Sequence, residues 1–129
     1  MTSGIDALLD RTRRRIVRVG PHNAAALAAT GAVLVDTRPV ELRIAHGEIP
    51  GALIIDRNVL EWRLDPRSPW RHAAVTDDPP PIIVLCQQGY ASSLAAASLI
   101  DVGLRHVYDL DGGFEAWAAA GLPVTPARL

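Results

Sequence analysis

Ile82-Ile83-Val84-Leu85 runs directly into Cys86-Gln87-Gln88-Gly89-Tyr90-Ala91, and the alanine- and leucine-rich stretch Ser92 to Val102 follows, ending at Gly103. Four consecutive aliphatic residues have the pattern of a strand buried on both faces. The stretch after the loop has helix-forming composition, serines at its start where hydroxyls cap free amides, and a glycine to stop it. Strand, short loop and helix together are the building unit of a parallel α/β sheet.

The same alternation extends in both directions. Val33-Leu34-Val35, ending on Asp36, and Ala52-Leu53-Ile54-Ile55 are buried-strand candidates, and Val107-Tyr108-Asp109-Leu110 is another. Ile16 to Val19 predicts a shorter strand, ended by Gly20-Pro21. Between them, His22 to Ala29 predicts a helix stopped by Gly31, and Val40 to Ala45 a helical turn broken by Ile49-Pro50-Gly51. Phe114 to Ala120 predicts a last helix, stopped by Gly121 and Pro123. Asp56 to Pro81 is irregular; its run Pro79-Pro80-Pro81 stiffens a connection, and Trp62 and Trp70 are expected to pack over the sheet. At the start, Ile5, Leu8, Leu9, Thr12 and Ile16 recur at helical spacing, with Arg11, Arg13, Arg14 and Arg15 expected on a solvated face. The expectation is an α/β fold with a central parallel sheet flanked by helices on both faces, residues 1–17 forming an N-terminal amphipathic helix and 18–129 the sheet domain.

Bulk properties narrow the function. The chain has 129 residues, 49% of them hydrophobic, which suits one domain with its own core. A net charge of -1 gives no field to recruit nucleic acid or anionic lipid. One cysteine excludes an internal disulfide and a thiolate-rich zinc site, and the four histidines are too scattered for a metal site. No metal and no cofactor are expected. With no secretory or membrane-spanning run, a cytoplasmic location is expected, where a lone thiol stays reduced.

Sites in open α/β folds form outside the carboxyl ends of the strands, and Cys86 occupies such a place. Gly89 lets several backbone amides converge, and the helix after the loop adds its positive end; together they stabilise an anion above them and favour a thiolate. A buried cysteine acting as a small hydrophobe is the ordinary alternative. Local physics leaves the two evenly matched.

Three motifs shift that balance. Val35-Asp36-Thr37-Arg38 with Gly47-Glu48-Ile49-Pro50-Gly51-Ala52, then Ile83-Val84-Leu85-Cys86-Gln87-Gln88-Gly89, then Asp111-Gly112-Gly113-Phe114-Glu115-Ala116-Trp117 with Gly121-Leu122-Pro123-Val124, resemble in order the signatures of rhodanese-like domains. The resemblance extends from about Val19 to Val124. It implies a single-domain sulfurtransferase in which Cys86 takes sulfane sulfur from a donor such as thiosulfate, holds it as a persulfide, and yields it to a thiol or to cyanide, in ping-pong fashion. Gln87, Gln88, Gly89, Tyr90, Ala91 and Ser92 would form the substrate-binding loop, and Asp36 and Arg38 would brace it. The expected partners are a small sulfur donor and its acceptor, with a sulfur-relay protein as a further candidate, and neither nucleic acid nor membrane.

Two departures qualify the resemblance. Many members carry arginine or lysine in the loop, where this chain has Gln87 and Ala91, so weak turnover of the dianion thiosulfate is expected. Arg43 and Arg57 are candidates to supply positive charge from outside the loop. Glu48 stands where the family usually has histidine, at a position that looks structural. A related phosphatase would need an arginine six positions after the cysteine, and Ser92 is there instead. The remaining alternative is a non-catalytic interaction module, using the basic face of the first helix with Trp62 and Trp70.

Overall fold

In a computed structural model that describes residues 2–128, the strands Val17–Val19 (β1), Val33–Asp36 (β2), Leu53–Ile54 (β3), Ile82–Leu85 (β4) and Val107–Leu110 (β5) lie parallel in one sheet. Their order is β1-β5-β4-β2-β3. Parallel neighbours need crossovers, and these are Pro21–Ala29 (α2), Val40–His46 (α3), Leu60–Leu64 (α4) and Ala91–Val102 (α5). Gly4–Arg13 (α1) precedes the sheet and Gly113–Ala119 (α6) follows it.

The apolar run of β4 is explained by its central place. Ile82 and Val84 point into a core with Leu60 and Leu64 of α4 and Ala95, Ala96 and Leu99 of α5. Ile83 and Leu85 point to the opposite face, against Ala24 of α2 and Phe114 and Trp117 of α6. All four are buried, each contributing roughly 2 kcal/mol of transfer free energy. The chain leaves β2 toward β3 and leaves β4 toward β5, in opposite directions across the sheet. In open α/β folds sites form at the strands' carboxyl ends near such a switch, and Cys86 directly follows β4 at that end.

The elements expected from sequence all form, with ends displaced by one or two residues, except that the first helix, expected over 1–17 with Ile16 on its stripe, spans only Gly4–Arg13. Three local expectations need correction. Trp62 and Trp70 do not pack over the sheet; they are 55% and 68% exposed. Trp62 is left on the outer face because α4 turns Leu60 and Leu64 to the core, and Trp70 sits in a turn beyond that helix. Ser92 and Ser93 do not cap α5: the helix begins at Ala91 with Tyr90 as its N-cap and no side-chain cap, and both hydroxyls are buried beneath it. The arginines of the first helix do not all face solvent, since Arg13 turns toward α5. Leu9 and Thr12 are the buried residues of α1, while Ile5 and Leu8 stay exposed. Among the described residues, no helix is long and apolar enough to cross a membrane.

Candidate active site

Cys86 follows β4 directly and is 9% exposed. Its Sγ accepts hydrogen bonds from the backbone N–H of Gly89 at 3.2 Å and of Ser92 at 3.3 Å. The sulfur thus fills the place that a capping hydroxyl holds at other helix N-termini, which explains how α5 dispenses with a side-chain cap.

The carbonyls of the loop are turned away from the sulfur for an identifiable reason. Cys86 O accepts from Phe114 N–H at 2.9 Å and Gln87 O from Glu115 N–H at 3.0 Å, so the free amides of α6 hold them. With its carbonyls drawn to one side, the loop presents N–H groups on the other, the arrangement that stabilises an anion. Close approach needs two glycines. At Gly89 (φ +86°) an added Cβ would sit 2.8 Å from Gly112 N, and at Gly113 (φ +62°) one would sit 2.6 Å from Cys86 O.

Ser92 Oγ lies 3.3 Å from Sγ and donates its own proton to Asp109 Oδ1 at 2.5 Å, so it meets the sulfur as an acceptor from S–H. Ser93 Oγ donates to Asp109 Oδ2, also at 2.5 Å. Asp109 on β5 is wholly buried, and Arg18 on β1 completes its shell through Nε at 2.9 Å. Arg18 also donates to Gly89 O at 3.0 Å, and Arg13 donates to that same carbonyl at 2.9 Å and to Ser93 Oγ at 3.1 Å.

On the other flank, Arg38 forms a buried two-pronged pair with Asp36, at 3.0 Å through Nε and 2.8 Å through Nη2. Its Nη1 donates to Gln87 Oε1 at 2.9 Å, its Nη2 to Gly47 O at 2.8 Å, and its guanidinium lies 4.0 Å from the centre of the Phe114 ring. Gln87 in turn donates to Glu115 Oε2 at 3.2 Å. Gln88 and Ala91 face solvent. Tyr90 is 58% exposed and lies beneath the Arg13 guanidinium, 5.6 Å from its ring centre. Arg43 and Arg57 are engaged elsewhere, with Glu48 at 2.6 Å and Glu61 at 3.0 Å, so neither supplies the loop with charge.

The parts played here by Arg13, Arg18, Asp109 and Glu115 were not expected from the sequence, and Ser93, expected as a cap, is instead bonded to Asp109. Asp109 left a signal: an acid inside the otherwise apolar strand Val107-Tyr108-Asp109-Leu110 needs a buried partner. Arg13 and Arg18 left none, since basic residues near a chain's start are ordinarily solvated. Among the described residues, no group of histidine, cysteine and acidic side chains is arranged to hold a metal ion.

A family model described as rhodanese-like domain matches residues 21–120, beginning after Arg13 and Arg18. The chain belongs to the rhodanese-like domain family. Relatives named thiosulfate sulfurtransferase GlpE include one from Stutzerimonas stutzeri, 38% identical over 100 residues, covering 78% of this chain and 83% of the relative. Another, from Pseudomonas fluorescens, is 39% identical over 101 residues, with the same two coverages. A solved structure from Rhodopseudomonas palustris, described as a protein of unknown function and possible tyrosine phosphatase, superposes with a TM-score of 0.84. It is 35% identical and the match covers 96% of both chains. A rhodanese-like domain with a single cysteine over backbone amides is consistent with sulfur transfer.

Proposed function

We propose that this rhodanese-like protein is a sulfurtransferase of the thiosulfate type and that Cys86 is its catalytic residue. The Cys86 thiolate attacks the outer sulfur of a sulfane donor; the donor's S–S bond breaks, and its electron pair leaves with sulfite when the donor is thiosulfate. A persulfide anion remains on Cys86, opposite the amides of Gly89 and Ser92. An acceptor thiolate or cyanide then attacks the terminal sulfur, the new Sγ–S bond breaks, and its electrons return to Cys86. Oxidation states balance across the two halves without a redox cofactor. The observation that carries this reading is the pair of amides on Sγ, with the loop's carbonyls drawn off by α6.

The side chains of Gln87, Gln88, Tyr90 and Ala91 bring no cation to face a dianion, so thiosulfate is a poor donor and its KM lies in the millimolar range or above. A cytoplasmic location, which keeps the thiol reduced, and a sulfur-relay protein as partner complete the proposal. Phosphate-ester hydrolysis fits the site less well, because the position that would carry a phosphate-gripping arginine is Ser92, bonded to the buried carboxylate of Asp109. A purely non-catalytic module has no use for a thiol held by amides.

The test is a donor and acceptor screen of wild type beside Cys86→Ser, with mass spectrometry of the loaded protein. Wild type is expected to gain one sulfur atom on Cys86 and to release thiocyanate with cyanide, and the variant to do neither. Equal turnover by the two proteins would end the assignment. Hydrolysis of an aryl phosphate, lost in Cys86→Ser, would favour phosphatase chemistry instead.

A further inference from the structure

The loop that would hold the persulfide has no cationic side chain of its own, yet two guanidinium groups converge on it from elements that precede the family-matched segment. Arg13, from the last turn of α1, and Arg18, from β1, both donate to the Gly89 carbonyl, at 2.9 and 3.0 Å. Two charged donors on one carbonyl is a costly arrangement to assemble unless that carbonyl's orientation matters. Gly89 N–H is one of the two amides on Sγ, so this residue is the hinge between the sulfur and the arginines. Holding the Gly89 carbonyl outward fixes the peptide that joins it to Tyr90 and prevents that oxygen from turning toward an anion on Sγ.

We infer that Arg13 and Arg18 are positioning residues for Cys86: they lock Gly89 with its carbonyl outward and place behind the loop the positive charge that its side chains lack. Both are anchored for that purpose. Arg13 also donates to Ser93 Oγ and lies over the ring of Tyr90. Arg18 is fixed by Asp109 and by Asp111 at 3.1 Å. The helix α1 therefore completes the site, a role distinct from a docking surface or a solvated extension. The inference rests on the sulfurtransferase reading for its consequence in turnover, but its effect on the thiol does not require that reading.

The charged and titratable groups around Cys86 are Arg13 from α1, Arg18 from β1, Asp109 and Asp111 at β5, Tyr90 in the loop, Glu115 from α6 through Gln87, and the Asp36–Arg38 pair beside β2. Removing either cation removes attraction for a sulfur anion and leaves the acids in place. The experiment is the pH profile of Cys86 alkylation by iodoacetamide in the full chain, for wild type, Arg13→Gln, Arg18→Gln and the exposed control Arg11→Gln. Arg13→Gln and Arg18→Gln are expected to move the profile to higher pH and slow alkylation at neutral pH by about threefold to tenfold. Arg11→Gln should superpose on wild type. Arg18 holds a buried acid, so Arg13→Gln, on the half-buried outer helix, decides the matter if Arg18→Gln fails to fold. An Arg13→Gln profile that superposes on wild type would overturn the inference. Sulfur uptake from thiosulfate, followed by mass, separates the two readings: a shifted alkylation profile in a protein that never takes up sulfur would sink the sulfurtransferase proposal and leave this one standing.

Discussion

At the scale of single residues, the site depends on what glycine lacks. Gly89 combines a positive φ with a neighbour that a Cβ would strike, so neither the conformation nor the space admits a side chain. Gly89→Ala should cost about 1–3 kcal/mol of stability and, more tellingly, turn an amide away from Sγ. Sulfur uptake by Cys86 is expected to fall by more than tenfold while circular dichroism still reports a folded sheet. Uptake at the wild-type rate would mean that the Gly89 amide does not matter to the sulfur. Asp109 shows the complementary principle: a buried carboxylate is tolerated because two hydroxyls and a guanidinium satisfy it, and removing it would orphan all three.

Among elements, the loop before β3 and the segment after α6 are tied together by Glu48. Its backbone exchanges hydrogen bonds with Thr125, at 2.7 and 2.8 Å, and its buried carboxylate takes Arg43 at 2.6 Å and Arg128 at 3.0 Å. The departure at this position is therefore structural, as expected, and the adjustment is an ion-pair cluster that recruits the end of the chain. Arg128 also donates to Ala52 O, next to β3. Glu48→Gln should lower stability by roughly 2–3 kcal/mol, because the partly buried Arg43 loses its counter-charge. Cys86 alkylation should barely change, since Glu48 lies outside the sulfur's surroundings. Thermal unfolding and the alkylation rate together check this; a stable variant with altered thiol reactivity would contradict it.

The whole molecule inherits an acid sensitivity from its paired carboxylates. Burial opposes the charge of Glu48, but hydrogen bonds from Arg43 and Arg128 outweigh it and hold its carboxyl below its ordinary 4.5. Glu61 is opposed by burial too, and is lowered in balance by the Ser98 hydroxyl and by Arg57. A carboxyl depressed in the folded state binds its proton more readily when unfolded. Its stabilisation is therefore complete above about pH 4.5 and is lost as pH falls through the folded value. Denaturant midpoints should accordingly hold steady from neutrality to about pH 5 and decline below it, with a shallower decline in Glu48→Gln. Identical acid limbs in the two proteins would show that Glu48 carries none of the effect.

Much of the fold was legible along the chain because its signals are local: aliphatic runs, helix-forming stretches and glycine stops act over a few residues. The place of Cys86 at a strand's end could be read for the same reason, whereas Asp36 and Arg38 were marked only by the resemblance to the family's signatures. What the linear order left undecided were meetings between distant residues. Arg13 reaches a carbonyl 76 positions away, and Arg18 a carboxylate 91 positions away. A charged side chain beside an apolar stripe looks the same in sequence whether it ends in water or on a buried acid; only the packing of α1 and β1 against α5 and β5 chooses, by bringing an unsatisfied carbonyl and carboxylate within reach. The tryptophans make the converse case, being apolar enough for the interior yet left outside it, Trp62 on the face of α4 opposite Leu60 and Leu64 and Trp70 in a turn.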